Sequence, residues 1–266
     1  MDYNQPLVSV IIPTRNSART LAKCLASVKN QSYRNIELIV VDNNSTDKTK
    51  EIARQYTDKV FNYGPERSAQ RNFGSKQAQG EYLLIHDSDI YFHPDSVREC
   101  MDIIENDHAD AVILPEKSIG IGFWARVKAF ERSFYVGNNY IEGIRFFRKD
   151  IYDKLGGYDK NLTGPEDWDL TIRFRRAGYK ISRISSFIQH DEGKIDIFGS
   201  SQKKKYYSKD MFGKYAQKYP EEFKRQMSFF IRFPFREILK KSLMHPVLSG
   251  GMIFMKGLEF LSSKRS

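Results

Sequence analysis

The run Gly80-Glu81-Tyr82-Leu83-Leu84-Ile85-His86-Asp87-Ser88-Asp89 decides how this chain is read. Tyr82 to Ile85 is a short apolar stretch bounded by a glycine and a polar turn, the pattern of a strand buried on both faces. Asp87 and Asp89 follow two residues apart, so they share a face while the strand persists and can converge where it ends. Two hard carboxylate oxygens at the mouth of a buried strand suit Mg²⁺ or Mn²⁺ holding a diphosphate. Asp-Ser-Asp is also an ordinary turn after a strand. What the rest of the chain brings to the same rim separates the two readings.

Working outward, Leu7 to Ile12 is a buried-strand pattern broken by Pro13, and a helix from about Ala18 to Asn30 follows it with Leu21, Leu25 and Val28 on one face. Glu37 to Val41 repeats the strand signal and ends in Asp42-Asn43-Asn44-Ser45, before a helix over Thr46 to Tyr56. Val60-Phe61 reads as a short strand and Ser68 to Gln79 as a helix stopped by Gly80. Beyond Asp89, a helix opens at His93-Pro94-Asp95 and runs to about Asn106, and strands are expected at Ala111 to Leu114 and Gly143 to Arg148. Gly122 to Val136 carries an aromatic stripe at helical spacing that reads as core or groove wall. Gly164-Pro165-Glu166-Asp167-Trp168-Asp169 leads into a helix that Gly178 ends.

Short strands alternating with amphipathic helices imply an α/β fold with a mostly parallel sheet and ligands at the carboxyl ends of the strands. Three polar turns then meet at one rim: Pro13 to Asn16, Asp42 to Ser45 and His86 to Asp89. Neither GxGxxG nor GxxxxGK[ST] follows a strand, so phosphates must be managed by a metal and by arginines; Arg67 and Arg71, which share a helix face at i and i+4, are candidates, with surface pairing to Glu66 or Glu81 as the alternative.

The chain has 266 residues, is 40% hydrophobic and carries a net charge of +10, enough for a full core. The charge is uneven. Residues 1–200 hold 28 basic and 28 acidic side chains, and residues 201–266 hold 15 and 5. The excess marks a C-terminal module whose simplest partners are an anionic membrane surface or a nucleic acid. Cys24 and Cys100 have no CxxC partner, which fits a reducing compartment and argues against a disulfide framework. Leu7 to Ile12 is too short and wrongly flanked for a signal peptide, so a cytoplasmic location is expected.

With these turns in place the chain resembles the family 2 glycosyltransferases, whose catalytic domain has the GT-A fold. The likeness covers roughly residues 7 to 191. It rests on Val8-Ser9-Val10-Ile11-Ile12-Pro13-Thr14-Arg15-Asn16, Ile39-Val40-Val41-Asp42-Asn43-Asn44-Ser45-Thr46-Asp47, the run from Gly80 to Asp89, and Gly164-Pro165-Glu166-Asp167-Trp168-Asp169-Leu170. The resemblance implies a nucleotide pocket lined by Pro13, Thr14, Arg15, Asp42 and Asn44, with Arg67 and Arg71 toward the base or diphosphate. Asp42 would accept hydrogen bonds from the base, a fitting task for an acceptor-only carboxylate. It further implies Asp89 as direct metal ligand, Asp87 toward the ribose or a metal-bound water, and His190 as a further ligand of Mn²⁺ or Mg²⁺. Asp167 would be the general base, at a helix start that favours the anion. Glu166 would orient it and Trp168 would face the acceptor.

The expected organisation is a GT-A domain over residues 1–200, with a nucleotide-binding half to about 110 and an acceptor half beyond, then a basic, amphipathic helical segment over 201–266. Lys203-Lys204-Lys205-Tyr206-Tyr207 opens that segment; Met244 to Leu261 is mostly apolar but interrupted by His245, Pro246, Lys256 and Glu259. This suits an element lying in the interface on the inner face of the cell membrane rather than crossing it. The function expected is metal-dependent, inverting transfer of a hexose from a UDP- or GDP-sugar to a polyprenyl-linked or growing glycan acceptor. A sugar nucleotidyltransferase is the alternative enzyme, although Pro13-Thr14-Arg15 stands where a glycine-rich basic loop belongs. A non-catalytic membrane- or nucleic-acid-binding module is the alternative from another class; the balanced charge of residues 1–200 argues against nucleic acid.

Overall fold

The computed structural model describes residues 5–162, 164–197 and 210–264; Lys203 to Tyr207 lie outside them. The described chain packs as two units, one of residues 1–116 with 143–189, the other of 117–142 with the residues after 189. The division expected near residue 200 follows charge along the sequence, whereas packing places Lys117–Glu142 with the C-terminal helices.

The first unit is built on a seven-stranded sheet. Its strands are β1 (Val8–Thr14), β2 (Ile36–Asp42), β3 (Val60–Asn62), β4 (Tyr82–Ile85), β6 (Ala111–Ile113), β8 (Ile144–Arg148) and β9 (Ile181–Arg183), in the order β3-β2-β1-β4-β8-β6-β9. β1 pairs parallel with β2 and β4, while β8 is antiparallel to both β4 and β6. The reversal sets the site. Because Leu84 faces Phe146, the first residues of β8 extend past the carboxyl end of β4, where His86 and Asp87 follow.

Helices α1 (Leu21–Lys29), α2 (Thr49–Arg54), α3 (Arg67–Gln77), α4 (Ser96–Asp107), α6 (Lys149–Lys154) and α7 (Glu166–Arg176) belong to this unit. Ile11, Ile39, Val41, Leu83 and Ile85 form one core cluster with Phe147, Leu170 and Phe174. α3 lies close on the sheet because residue 74 is glycine: a Cβ there would come within 2.5 Å of Ile11 Cγ2. α2 is shorter than its pattern suggested, since Asp47 Oδ1 accepts from Thr49 N at 3.0 Å and holds the preceding residues in a turn.

Three strands and one helix went unexpected: the two-residue β5 (Ile90–Tyr91), the polar β7 (Glu116–Ile121), β9 and α6. Asp191-Glu192-Gly193, residues that favour turns, are instead part of β10 (Ile188–Lys194), and His190 stands within that strand. Backbone pairing with the neighbouring β7 overrides the turn preference of those polar residues.

The helices of the second unit are α5 (Phe123–Arg132), α8 (Asp210–Lys218), α9 (Pro220–Met227), α10 (Phe229–Arg232), α11 (Phe235–Met244) and α12 (Pro246–Lys264). The aromatic stripe of α5 is core: Phe130 and Phe134 cluster with Phe233, and Ile238, Leu248 and Met252 pack against them. Glu131 is buried among the cations Lys128, at 2.7 Å, and Lys256, and accepts from Tyr135 Oη at 2.7 Å. Burial would raise that carboxyl, but the two lysines outweigh it and bring it down to about 2. No described helix is long and apolar enough to cross a membrane.

Candidate active site

The three rim turns are stitched together by side chains. Asn16 N donates to Ser45 Oγ at 2.8 Å, Thr46 N to Asn16 Oδ1 at 2.9 Å, and Ser88 Oγ lies 2.8 Å from Ser17 Oγ. Asn16 and Asn44 both adopt φ of 50°, the left-handed conformation that asparagine tolerates better than most residues. Asn44 is exposed and exchanges amide hydrogen bonds with Asn62, at 3.1 and 2.7 Å. Pro13 and Thr14 are buried at the end of β1, and Arg15 is exposed beside them.

Asp42 is fully buried and braces this rim. Its Oδ1 accepts from Thr14 Oγ1 at 3.0 Å and Ser45 Oγ at 2.5 Å, its Oδ2 from Ser45 N at 2.8 Å. One lone pair of Oδ2 remains beyond these bonds.

Arg71 is the centre of the site. Its side chain is 0% exposed, yet it carries a charge, so it must be paired. Nη2 donates to Asp87 Oδ1 at 2.7 Å, while Nη1 donates to Asp167 Oδ1 at 2.9 Å and to Glu166 Oε1 at 3.3 Å. The guanidinium also stacks 4.9 Å from the centre of the Tyr158 ring. One planar fork therefore joins the carboxylate after β4 to the two at the start of α7, a geometry that lysine cannot reproduce. Arg67, one turn earlier and partly exposed, reaches the same acids from outside, 3.6 Å from Asp87 and 3.4 Å from Glu166. The pairing of these arginines with Glu66 or Glu81 that their positions allowed is replaced by pairing with acids distant in sequence.

Burial would raise the Asp87 carboxyl, but Arg71, then Arg67 and Arg145, outweigh it and hold it well below the usual carboxylate range. Glu166 is buried; Oε1 takes the arginines and Oε2 accepts from Gly164 N. Asp167 is partly exposed. Its Oδ1 carries the ion pairs, with Arg145 Nη1 at 2.6 Å as well as Arg71, and Oδ2 takes no part in these pairs. Gly143 lets β8 and α7 approach: a Cβ there would sit 3.1 Å from Asp167 Cβ. Asp169 points away from the acids' cluster into an ion pair with Arg173, at 2.7 Å, which in turn holds the carbonyls of Leu155 and Gly157.

Arg145 and His86 were not anticipated. The signal for Arg145 was a charge inside the apolar run Ile144-Arg145-Phe146-Phe147, and the reversed β8 is what brings it to the rim. His86 is buried, its Nδ1 accepts from Asp87 N at 3.0 Å, and its Nε2 lies 3.8 Å from Glu116. Desolvation, aided by the charge of Arg145, pulls the imidazole down to about 4, so it is neutral near pH 7.

Asp89 is half-buried at the start of β5, next to Ile90. Among the described residues no group of three or more His, Cys, Asp or Glu forms a metal cage. Trp168 is half-buried in the first turn of α7. His190, in the second unit, has Nδ1 2.7 Å from Arg132 Nη1. Since the guanidinium can only donate, Nδ1 accepts and Nε2 of the neutral ring holds the proton.

The profile of glycosyl transferase family 2 matches residues 9–215. An uncharacterized glycosyltransferase of Rickettsia typhi is 30% identical over 189 residues, which cover 65% of this chain and 59% of that relative. Glycosyltransferase AglE of Haloferax volcanii is 29% identical over 68% of this chain and 66% of its own. The chain spans 45% of an uncharacterized glycosyltransferase of Haemophilus influenzae, so several curated relatives are considerably longer than the matched region. Among solved structures, a mannosyltransferase from Pyrobaculum calidifontis in complex with GDP-Man and Mn²⁺ aligns with a TM-score of 0.65 at 18% identity, over 99% of this chain and 77% of that one. S. aureus TarS 1–349 in complex with UDP-GlcNAc aligns with a TM-score of 0.58 at 24% identity, over 71% and 60%. At those identities the likeness establishes the fold, which is GT-A. A profile that spans the sheet, all three rim turns and the acids of α7 leaves one assignment: the chain belongs to glycosyl transferase family 2.

Proposed function

We propose that this chain moves a hexose from a UDP- or GDP-sugar to a hydroxyl of a lipid-linked or growing glycan acceptor, with inversion and with the help of a divalent cation. The observation that carries this reading is the Arg71 fork, which holds Asp87 and Asp167 in one rigid unit. Donor handling on the β4 side and proton removal on the α7 side are thereby kept at a fixed separation, the positioning that bimolecular transfer needs.

The acids fit a cation of the Mg²⁺ or Mn²⁺ kind. Among the described residues fewer than three candidate side chains group together, so phosphate oxygens and water would supply the remaining ligands. Asp89 would be the direct ligand, because the charge of Asp87 is already engaged by arginines. Bound there, the cation supplies charge neutralisation to a departing nucleoside diphosphate.

Asp167 takes the acceptor's proton on Oδ2 while Oδ1 stays with Arg71 and Arg145. The acceptor oxygen forms its bond to the anomeric carbon as that carbon's bond to the diphosphate breaks. Glu166 acts through Arg71 and Arg67, fixing the fork that aims Asp167, and Trp168 offers an aromatic face to the acceptor. Pro13, Thr14, Arg15, Asp42 and Asn44 line the rim where the base and ribose would sit, with Arg67 at its edge. We place the molecule on the inner face of the cell membrane, supported by the basic excess of residues 201–266 and the exposed apolar side chains of α10 to α12.

The test is a thermal-shift panel of nucleoside diphosphates with and without Mn²⁺, on the native protein and Asp89→Ala. Binding to the folded state raises its melting temperature by mass action. UDP or GDP should stabilise the native protein more with Mn²⁺ than without, and Asp89→Ala should lose the difference. An unchanged Mn²⁺ effect in Asp89→Ala would remove the metal assignment.

A further inference from the structure

The second unit carries a groove of about 520 Å³ lined by α5, α11 and α12. Its floor is apolar, from Ala129, Phe130, Met244 and Leu248; its rim carries Arg126, Lys240, Lys241 and His245 against a single acid, Glu237. The size lies within the ~300–1,000 Å³ of small-molecule sites. Arg126 and Lys240 are exposed and make no ion pair among the described residues. Lys241 is held at the groove wall: its ammonium donates to Ser133 O at 2.9 Å and Ser133 Oγ at 3.2 Å, with Glu237 3.8 Å away. Burial lowers its pKa from the ordinary lysine value, so an added anion would relieve an existing desolvation cost.

On the face of α11 turned away from its groove-lining residues, Phe235, Leu239 and Leu243 stand at i, i+4 and i+8, exposed by 73%, 53% and 75%. Such a row lies on one helix face and has no protein cover among the described residues. Val247 of α12 extends it. A cationic mouth over an apolar floor matches a molecule with an anionic head and a hydrocarbon tail.

We propose that this groove is a binding site for an anionic phospholipid, with the phosphate between Arg126, Lys240 and Lys241 and an acyl chain along Phe130, Met244 and Leu248. Phe235, Leu239 and Leu243 enter the bilayer alongside. The proposal rests on the peripheral membrane reading above and adds a defined lipid site to it. Attraction by net charge alone would be spread over every basic residue of the segment; the groove concentrates it on three.

The experiment uses the full chain with phosphatidylcholine vesicles, with and without phosphatidylglycerol. Arg126→Ala/Lys240→Ala is compared with Lys214→Ala/Lys224→Ala, an equal charge loss at exposed positions of α8 and α9. Two lost charge-assisted contacts should weaken binding to acidic vesicles by more than about a hundredfold, against at most about thirtyfold for the control pair. Equal losses would overturn the groove. Titration with dihexanoyl phosphatidylglycerol below its aggregation concentration supplies the second readout: saturable binding, removed by the groove pair, is expected. Short-chain lipid binding without flotation would keep the groove and overturn the membrane reading; flotation without saturable short-chain binding would do the reverse. A dimer dissolved by Leu239→Glu would assign the apolar face to a second copy and overturn the proposal.

Discussion

Asp87, Glu166 and Asp167 are held by a single buried side chain, and that arrangement makes the site both stable and vulnerable. Replacing Arg71 by methionine keeps the apolar stem but removes the buried cation the three acids share, leaving only Arg67 and Arg145 beside them, which costs about 3 kcal/mol. The shift should be seen in the midpoint of denaturant unfolding; an unchanged midpoint would show that the bridge holds nothing. His86 supplies a pH signature. Its native imidazole takes a proton only near 4, whereas the unfolded chain does so at its ordinary 6.5. Between those values the unfolded state binds the extra proton, so stability falls as pH drops through the window, by about 3 kcal/mol in all. His86→Asn keeps an acceptor for the Asp87 amide and should flatten the melting temperature between pH 6.5 and 4. Parallel curves for both proteins would refute this assignment. Asp87 and Glu131, held low by their cations, lose their contributions only below the ordinary carboxylate range. Residue by residue, the acids were legible because each ends a strand or opens a helix. Their shared partner was not, since Arg71 pairs across 96 positions of sequence with Asp167.

Strands and helices with uniform burial were readable from pattern alone. β1, β2 and β4 are runs of branched and aromatic side chains, and α7 buries Leu170, Ile172 and Phe174 before Gly178; α3 was legible from the glycine beyond its end, although the face it buries is small and polar, from Ser68 to Ser75. The misses are elements whose pairing partner, rather than their composition, makes them what they are: β7 is Glu116-Lys117-Ser118-Ile119-Gly120-Ile121, and β10 runs through Asp191-Glu192-Gly193. The antiparallel setting of β8 was equally hidden, and with it the arrival of Arg145 beside Asp167. That meeting of β8 and α7 can be tested through Gly143, where an added Cβ would sit 3.1 Å from Asp167 Cβ and a neighbour would have to give by a few tenths of an ångström. Gly143→Ala should displace the first turn of α7 and lower kcat about tenfold, since small misplacements of a reacting group are costly. The donor Kd should stay within about twofold, because the β1 and β2 turns make no contact with Gly143 and a small shift of α7 leaves them in place. A loss confined to donor affinity would mean that α7 serves binding instead.

For the molecule as a whole, membership of glycosyl transferase family 2 accounts for the sheet, the rim turns and the acids together, and leaves donor, acceptor and linkage to the proposals above. The central claim is that one carboxylate, Asp167, does the proton chemistry while the β1, β2 and β4 rim does the binding. Asp167→Asn retains size and most hydrogen bonding but has no basic oxygen. Its kcat for sugar transfer, measured alongside donor Kd by titration, is the most direct test. The account predicts a fall in kcat of about 10² to 10⁴, typical of losing a general base, with donor Kd nearly unchanged. Near-native kcat in Asp167→Asn, or a loss that appears in donor Kd alone, would contradict it.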